Sequence, residues 1–198
     1  MKKSYIVGGI IVLLLVIVFV TFKNAYNNFV TMEEEVNQRW AQVENVYQRR
    51  ADLIPNLVEV VKGYAKHEKE TLQGVVEARS KVGGQINVGP EILNNPQAFA
   101  KFQQAQSALS SALQRLMVVV ERYPDLKADK RFGDLQTQLE GTENRIAVER
   151  KRFNEAVQKY NTSIRRFPSN IIAAMFGFEK KMYFQAEAGA EKAPKVKF

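Results

Sequence analysis

Residues 48–68 read QRRADLIPNLVEVVKGYAKHE, and this stretch decides the fold because its apolar repeat passes through a proline without a change of register. The repeat belongs to a stripe that advances in alternating steps of three and four residues, which is typical of a helix packed against other helices. The apolar members of the stripe are Tyr26, Phe29, Val36, Trp40, Val43, Tyr47, Ile54, Leu57, Val61 and Tyr64. Glu33, Arg50 and Glu68 occupy the same register, so three charged side chains are predicted to share the packed face.

Pro55 lies inside this stripe. A proline in a helix interior removes one hydrogen bond and clashes with the carbonyl four residues earlier, which costs about 3 kcal/mol. Because the register before Pro55 continues after it, we predict one kinked helix from about Lys23 to Lys81 rather than a turn. The alternative is that a new helix begins near Asp52, with the aspartate as its N-cap.

Residues 5–22 (YIVGGIIVLLLVIVFVTF) contain no charged side chain. As a helix they span about 27 Å, close to the ~30 Å of a bilayer's hydrocarbon core. Lys2 and Lys3 precede the run, as they would in a signal peptide. However, the run exceeds the usual ~7 to 15 apolar residues and no small-residue cleavage site follows it, which favours an uncleaved anchor.

The charges on the two sides of the apolar run predict its orientation. Lys2 and Lys3 precede it, whereas Lys23 is the only basic residue directly behind it and Glu33 begins a run of three acids. By the positive-inside rule, the N-terminus is cytoplasmic. We therefore predict a single-pass protein of the cytoplasmic (inner) membrane whose soluble domain is extracytoplasmic or periplasmic.

The rest of the chain divides into three further helical segments. Residues 82–96 (VGGQINVGPEILNNP) are rich in Gly, Asn and Pro, and predict a connecting loop. Helical apolar spacing resumes over residues 96–123 and 126–167, each beginning next to a proline. The sequence FPSN then predicts a stop and a new cap before a helix over residues 171–184.

These segments predict an all-α fold in which an N-terminal transmembrane helix continues into a long helix of an antiparallel up-and-down bundle. The predicted domains are an anchor over residues 1–22, a bundle over 23–184 and a disordered basic tail over 185–198. The last helix, 171–184, begins IIAAMF and is too short to span a bilayer. It is predicted to cover the core or, alternatively, to lie in the membrane interface.

The predicted helix lengths leave part of the first helix without a partner. A helix over residues 23–81 is about 88 Å long, whereas one over 96–123 is about 42 Å and begins at the far end. The uncovered part of the stripe would be Tyr26, Phe29, Val36, Trp40 and Val43. Because exposed apolar stripes of this size usually mark interfaces, we predict that these residues form the interface of a homo-oligomer.

Two charged residues on the predicted stripes suggest a polar pair. Arg50 on the first helix and Glu149 on the third are predicted to pair inside the bundle and to fix its register. The alternative is that small shifts in helix phase place both side chains on the rim, in contact with water.

The sequence offers no group of residues with a recognisable chemistry. Cys is absent, and His67, the single histidine, is followed by Thr71 where a metalloprotease helix requires its second histidine. We therefore predict no catalytic, metal-binding or cofactor-binding residue. The net charge of +8 comes from basic residues mixed with acids, which indicates solvated helix faces. The predicted anionic partner is the lipid bilayer, not nucleic acid.

Several blocks of the sequence resemble the LemA family. They are the anchor, Tyr26-Asn27, EVNQRW (35–40), QRRADLIPNLVEVVKGYAKHE (48–68), Ala78-Arg79, ERYPDLKA (121–128), ENRI (143–146), RFNEAVQKYN (152–161) and Phe167-Pro168. The similarity extends to about Phe184, and it is specific because DLIPNLV and GYAKHE occur together. The resemblance implies a bacterial membrane-anchored helical bundle without a settled biochemical activity. Magnetosome-associated members of the family point towards membrane shaping.

Two classes of function fit these observations. The first is a non-enzymatic scaffold that self-assembles on the cytoplasmic membrane and shapes or organises it. The second is a monomeric adaptor or sensor that presents its bundle to an envelope enzyme or signalling partner. The two differ in whether the Trp40 stripe contacts copies of itself or another protein.

Overall fold

The structure, a computed structural model, describes residues 2–84 and 89–185. Its helices are α1 (Lys2–Tyr64), α2 (Lys69–Gly84), α3 (Pro96–Val120), α4 (Pro124–Lys127), α5 (Lys130–Arg165) and α6 (Ser169–Phe176), with a 3-10 helix at Pro90–Asn94. These two ranges contain no strand, and the predicted all-α fold is confirmed. Residues 186–198, most of the predicted tail, lie outside the described residues.

Helix α1 contains both the apolar run and the first helix of the bundle. Its most apolar 18-residue window has a mean hydropathy of 3.0 and contains no buried residue, and α1 is long and apolar enough to cross a membrane. The helix continues through Pro55, and Ile54 and Leu57 are buried on either side of it. The alternative of a new helix beginning near Asp52 is therefore wrong.

The first turn of the bundle lies earlier than the sequence pattern predicts. Helix α1 ends at Tyr64, and residues 65–68 turn the chain back into α2. The Nε of Arg79 donates a hydrogen bond of 2.8 Å to the carbonyl oxygen of Ala51, so α2 runs antiparallel along the upper part of α1. The prediction of one helix reaching Lys81 is wrong, and the first bundle helix is about 63 Å long from Lys23 instead of 88 Å.

Contacts from a distant part of the chain hold this turn. The carboxylate of Glu68 accepts hydrogen bonds from the Tyr123 hydroxyl at 3.1 Å and from Arg122 at 2.9 Å. Ala65, at the start of the turn, is fully buried. Residues 65–68 contain neither Gly nor Pro, so the sequence pattern does not predict a turn there.

Helix α5 runs beside α1 over most of the bundle. At the end far from the anchor, the Tyr64 hydroxyl donates to Asp129, just before α5; at the other end, Asn28 donates to Ser163. Between these points the apolar residues form two clusters. The membrane-proximal core includes Phe29, Trp40, Phe102, Phe153, Tyr160 and Phe184, and the distal core includes Ile54, Val61, Val75, Leu109, Leu116 and Phe132.

The stripe that was predicted to be unpartnered is covered within the monomer. Phe29, Val36, Trp40 and Val43 are completely buried, and only Tyr26 retains 40% exposure. The expectation of a free apolar stripe is wrong for two reasons: the first helix is shorter than predicted, and the 36-residue α5 returns along it. Self-association of the chain stays a prediction, but it no longer has this stripe as its interface.

The last predicted helix is shorter than expected, with 8 residues in place of the 14 of the predicted range 171–184. Helix α6 ends at Phe176, where Gly177 adopts the left-handed conformation with a φ of 74°. This conformation is common just after a helix and is available to glycine without a steric cost. Residues 178–185, which we call the strap, then run without helical structure along the bundle. The prediction of a helix to Phe184 is therefore wrong.

Two asparagines of α5 bind the backbone of the strap. The Asn161 side chain donates to the Lys181 carbonyl oxygen and accepts from its N–H, both at 2.9 Å. Asn154, two turns earlier, makes the same pair of 2.9 Å hydrogen bonds with Phe184. Each asparagine replaces a partner that the backbone would have had in a helix. A 2.6 Å ion pair between Lys181 and Glu33 also fixes the strap to α1.

The cap of α5 predicts an acid-sensitive contribution to stability. Asp129 accepts from the N–H groups of Arg131 and Phe132. A hydrogen bond from Tyr64, followed by one from Arg131, lowers the pKa of Asp129 from 3.8 to about 2. Because the pKa of Asp129 is lower in the folded state than in the unfolded state, its carboxylate stabilises the fold above pH ~4. This stabilisation is lost as the pH falls through about 2.

We therefore expect Asp129→Asn to lose less stability than the wild type when the pH falls from ~4 to ~2. Asparagine still caps the helix but carries no charge. Urea midpoints followed by circular dichroism at a series of pH values measure the difference. Asp134→Asn, at an exposed position of the same helix, is the control and should follow the wild type. Parallel curves for Asp129→Asn and the wild type would contradict the prediction.

Candidate functional site: the Arg50 cleft

Arg50 is the most deeply buried charged residue that the structure describes, with 1% of its surface exposed. One terminal nitrogen donates to Ser110 Oγ and Glu143 Oε1, both at 2.9 Å, and the other donates to Gln106 Oε1. Its guanidinium carbon lies 5.2 Å from the centre of the Tyr47 ring. Three helices thus meet at one side chain, because Arg50 belongs to α1, Gln106 and Ser110 to α3, and Glu143 to α5.

The predicted partner of Arg50 was wrong. Arg50 pairs with Glu143, whereas Glu149 forms a 2.7 Å ion pair with Arg152 of its own helix. Glu143 and Glu149 are six residues apart, so their side chains point about 120° away from each other around α5. The register of α1 against α5 places Glu143, and not Glu149, opposite Arg50.

A cleft of about 580 Å³ opens above this ion pair, between α3, α5 and the end of the strap. Polar and apolar surface contribute about equally to its walls, and the polar side chains include Gln103, Gln104, Ser107, Ser110, Glu143 and Arg150. Arg150 lies over the Phe184 ring, 4.6 Å from its centre, and donates to the Gln185 carbonyl oxygen at 3.3 Å. The strap therefore forms one wall of the cleft, and Arg150, which also lines the cleft, holds the strap there.

Hydrogen-bond donors and acceptors both line the cleft, since Arg150 lies there together with the half-exposed carboxylate of Glu143 and the amide of Gln104. Arg50 Nε and Gln106 Nε2 are both buried and have no hydrogen-bond partner in the part of the chain that the structure describes. Burial raises the pKa of Tyr47, while Arg150 and Arg50 act in the opposite direction. Tyr47 therefore stays protonated at neutral pH and adds a further donor. Chemically, the accessible groups of the cleft suit a polar ligand that both donates and accepts hydrogen bonds, such as a peptide backbone.

The structure brings Glu33 and Arg50 of α1, and Glu68 of the turn that follows it, each to a partner distant in sequence. These pairs are Glu33–Lys181 at 2.6 Å, Arg50–Glu143 at 2.9 Å and Glu68–Arg122 at 2.9 Å. His67 is exposed, and residues 2–84 and 89–185 contain no cluster of three potential metal ligands. Sequence reasoning missed Glu143, Asn154 and Asn161. Their only signal was membership of the ENRI and RFNEAVQKYN blocks.

Comparison with known proteins places this architecture in a family. The LemA family model matches residues 39–198, which is most of the chain. The chain belongs to the LemA family. The match contains the whole Arg50 cleft, the turn at residues 65–68 and the strap, so the cleft lies within the part of the chain that defines LemA proteins.

The chain is similar along most of its length to two magnetosome proteins and to a protein named LemA. Magnetosome protein MamQ 2 and magnetosome protein MamQ 1 of Paramagnetospirillum magneticum are each 30% identical to it over 198 residues, covering 92% of this chain and 73% of theirs. Protein LemA of Metamycoplasma hominis is 22% identical over 160 residues, covering 81% of this chain and 68% of that protein. With its apolar N-terminal helix, this LemA-family chain is a membrane protein.

Proposed function

We propose that the chain is a non-enzymatic helical scaffold that assembles with copies of itself on the cytoplasmic membrane and organises that membrane. The observation that carries the proposal is the continuity of α1, which extends from the apolar run through the whole bundle as one helix. Phe22 and Ala25 already pack against the membrane-proximal core. A rigid bundle would thus stand directly on the bilayer, without a flexible linker.

Two further observations support a structural role. Long-range ion pairs and the asparagine contacts hold the helices and the strap in one arrangement, as expected of a scaffold. The similarity to magnetosome proteins supports the membrane-organising part of the proposal. Because the Trp40 stripe is buried, copies are expected to meet through the exposed apolar span or the outer surface of the bundle.

Single-molecule photobleaching tests the assembly. The chain has no cysteine, so Val118→Cys, at an exposed position of α3, allows one fluorophore per copy. The full chain is reconstituted in vesicles at increasing density beside a monomeric single-span protein. Multi-step bleaching above that of the reference, with clustering or reshaping of the vesicles in electron micrographs, is the expected result. Single-step bleaching at every density would refute self-assembly.

A second function, that of a monomeric adaptor or sensor, is favoured by the Arg50 cleft, because a scaffold alone does not need an open cleft lined by polar side chains. A photo-crosslinking residue in place of Gln104, which is exposed at the cleft, tests this in cells. The control position is the exposed Ser111, outside the cleft. Adducts of the mass of two copies favour the scaffold. Adducts of another mass, formed only at position 104, favour an envelope protein partner.

The orientation that we propose has the N-terminus in the cytoplasm and the bundle outside it, because Lys2 and Lys3 precede the span. Labelling of Val118→Cys by a membrane-impermeant maleimide in intact cells would support this orientation. Labelling only after the cytoplasmic membrane is broken would reverse it.

A further inference from the structure

Helix α6 lies at the level where α1 leaves the membrane. The ring of Tyr26 contacts the ring of Phe176 at a centroid distance of 4.9 Å and that of Phe178 at 5.6 Å. Tyr26 is only four residues beyond Phe22, the last residue of the apolar run, which is about 6 Å along a helix axis. The headgroup region extends roughly 5 to 8 Å on each side of the hydrocarbon core. Helix α6 therefore reaches the bilayer surface on the side of the bundle.

The outward side of this segment is apolar. Phe167, Ile171, Met175 and Phe176 are 82%, 50%, 64% and 53% exposed. We call these four residues the α6 face. Ile172 and Ala173 of the same helix are buried in the membrane-proximal core, so α6 cannot turn the α6 face inwards without unpacking the bundle. An apolar surface of this kind in water needs a partner.

The charges around the α6 face select the kind of partner. Arg165 and Arg166 are exposed immediately before Phe167, and Lys23 is exposed where α1 leaves the apolar run. The exposed Lys180 and Glu179 beside them offset each other. Apolar side chains bordered by basic ones are typical of segments that lie in the surface of an anionic membrane.

We infer that the α6 face inserts into the surface of the bilayer that holds the anchor, while Arg165 and Arg166 bind the phosphates of anionic lipids. The inference rests on the membrane anchorage in the proposed function and adds a second contact to it. With α1 and α6 both in the bilayer, the bundle has a defined tilt and rotation relative to the membrane. The α6 face also occupies area in one leaflet only, which gives the scaffold a means of bending the membrane.

Site-directed fluorescence on the full chain in vesicles tests the inference. An environment-sensitive dye is attached at Met175→Cys, in the α6 face, and at Val118→Cys, at the opposite end of the bundle. A third variant, Val12→Cys, reports on the anchor. We expect a blue-shifted emission and a several-fold lower iodide quenching constant at position 175 than at position 118, with lipid-borne nitroxide quenching only positions 175 and 12.

The three positions separate the possible failures. Shielding at position 12 combined with full iodide access at position 175 would overturn the inference and leave the anchorage intact. Iodide access at position 12 would overturn the anchorage itself. Shielding at position 175 that increases with protein density would indicate contact between copies and would also overturn the inference. Circular dichroism of each labelled variant checks that the bundle is folded.

A second comparison tests the role of the arginines. Phosphatidylcholine vesicles are prepared with and without phosphatidylglycerol, and Arg165→Gln/Arg166→Gln is measured beside the parent Met175→Cys chain. We expect shielding of the parent to increase with the anionic lipid and the double variant to lose this increase. Lys130→Gln/Arg131→Gln, at the end far from the membrane, removes the same amount of positive charge. This variant should keep the increase in shielding that the anionic lipid causes. Identical shielding in both lipids would overturn lipid phosphate binding by the arginines.

Discussion

Replacing Trp40 by alanine is expected to lower the free energy of unfolding by about 3 to 5 kcal/mol, the largest effect of any single substitution proposed for this chain. Trp40 is completely buried, and its ring lies 5.4 Å from those of Phe102 and Phe153 and 5.9 Å from that of Phe184. Alanine would leave a cavity where α1, α3, α5 and the strap meet. Urea unfolding in detergent, followed by circular dichroism, measures the loss.

Tyr26→Ala is the matched control for this prediction. It removes an aromatic side chain from the same stripe of α1, but from a position that is 40% exposed. We expect its cost to be well below that of Trp40→Ala, because less apolar surface is returned to water. The two substitutions also distinguish a core role from an interface role. A Trp40→Ala variant with unchanged stability but smaller oligomers would contradict the structure and restore Trp40 as an interface residue.

Replacing Glu143 by alanine is expected to cost about 3 kcal/mol, because Arg50 would then be buried without a counter-charge. Arg50 has 1% of its surface exposed, whereas the Glu143 side chain is 40% exposed and reaches the cleft. The cost is therefore placed at the lower end of the range for buried pairs. The same urea titration measures it, and the loss should persist in high salt, since buried pairs are screened less than exposed ones.

Glu149→Ala is the matched control, because it removes a glutamate from the same helix. Glu149 pairs with Arg152 one turn away, and such pairs contribute about 0.2 to 0.5 kcal/mol. A double variant, Arg50→Met/Glu143→Ala, should cost less than the sum of its two single substitutions, because neither charge remains buried alone. Equal losses for Glu143→Ala and Glu149→Ala would show that the ion pair does not determine the register of α1 against α5.

The helical pattern was predictable because it depends on local spacing. Steps of three and four residues identified the packed side of α1, and Phe29, Trp40, Ile54 and Val61 are all buried there. The same register singled out Glu33 and Arg50 on that side and Glu68 just beyond the end of the helix, and each makes a long-range ion pair. Because the stripe keeps its register across Pro55, the sequence also predicted that the helix continues through this proline, as the structure shows. The apolar run before Lys23 was recognisable from composition alone.

The partners of these residues were not predictable, because they depend on contacts between distant parts of the chain. The turn after Tyr64 is held by Tyr123 and Arg122 acting on Glu68. This turn at residues 65–68 comes before the predicted connection at residues 82–96, shortens the first helix and adds α2 to the bundle. The supposed interface around Trp40 is part of the core. The cleft depends on a glutamate 93 residues from Arg50.

The sequence by itself determined that this is a membrane-anchored all-α chain with a defined packed side on its first helix, since composition and periodicity act within a few turns. Only the tertiary structure decided what covers that side. Helix α5 and the strap occupy the place that a second copy was predicted to take, and α6 packs against Tyr26, four residues beyond the apolar run. The physical reason is that the strap has no helical repeat that could be recognised in the sequence. Its backbone hydrogen bonds are made instead with Asn154 and Asn161, which belong to α5.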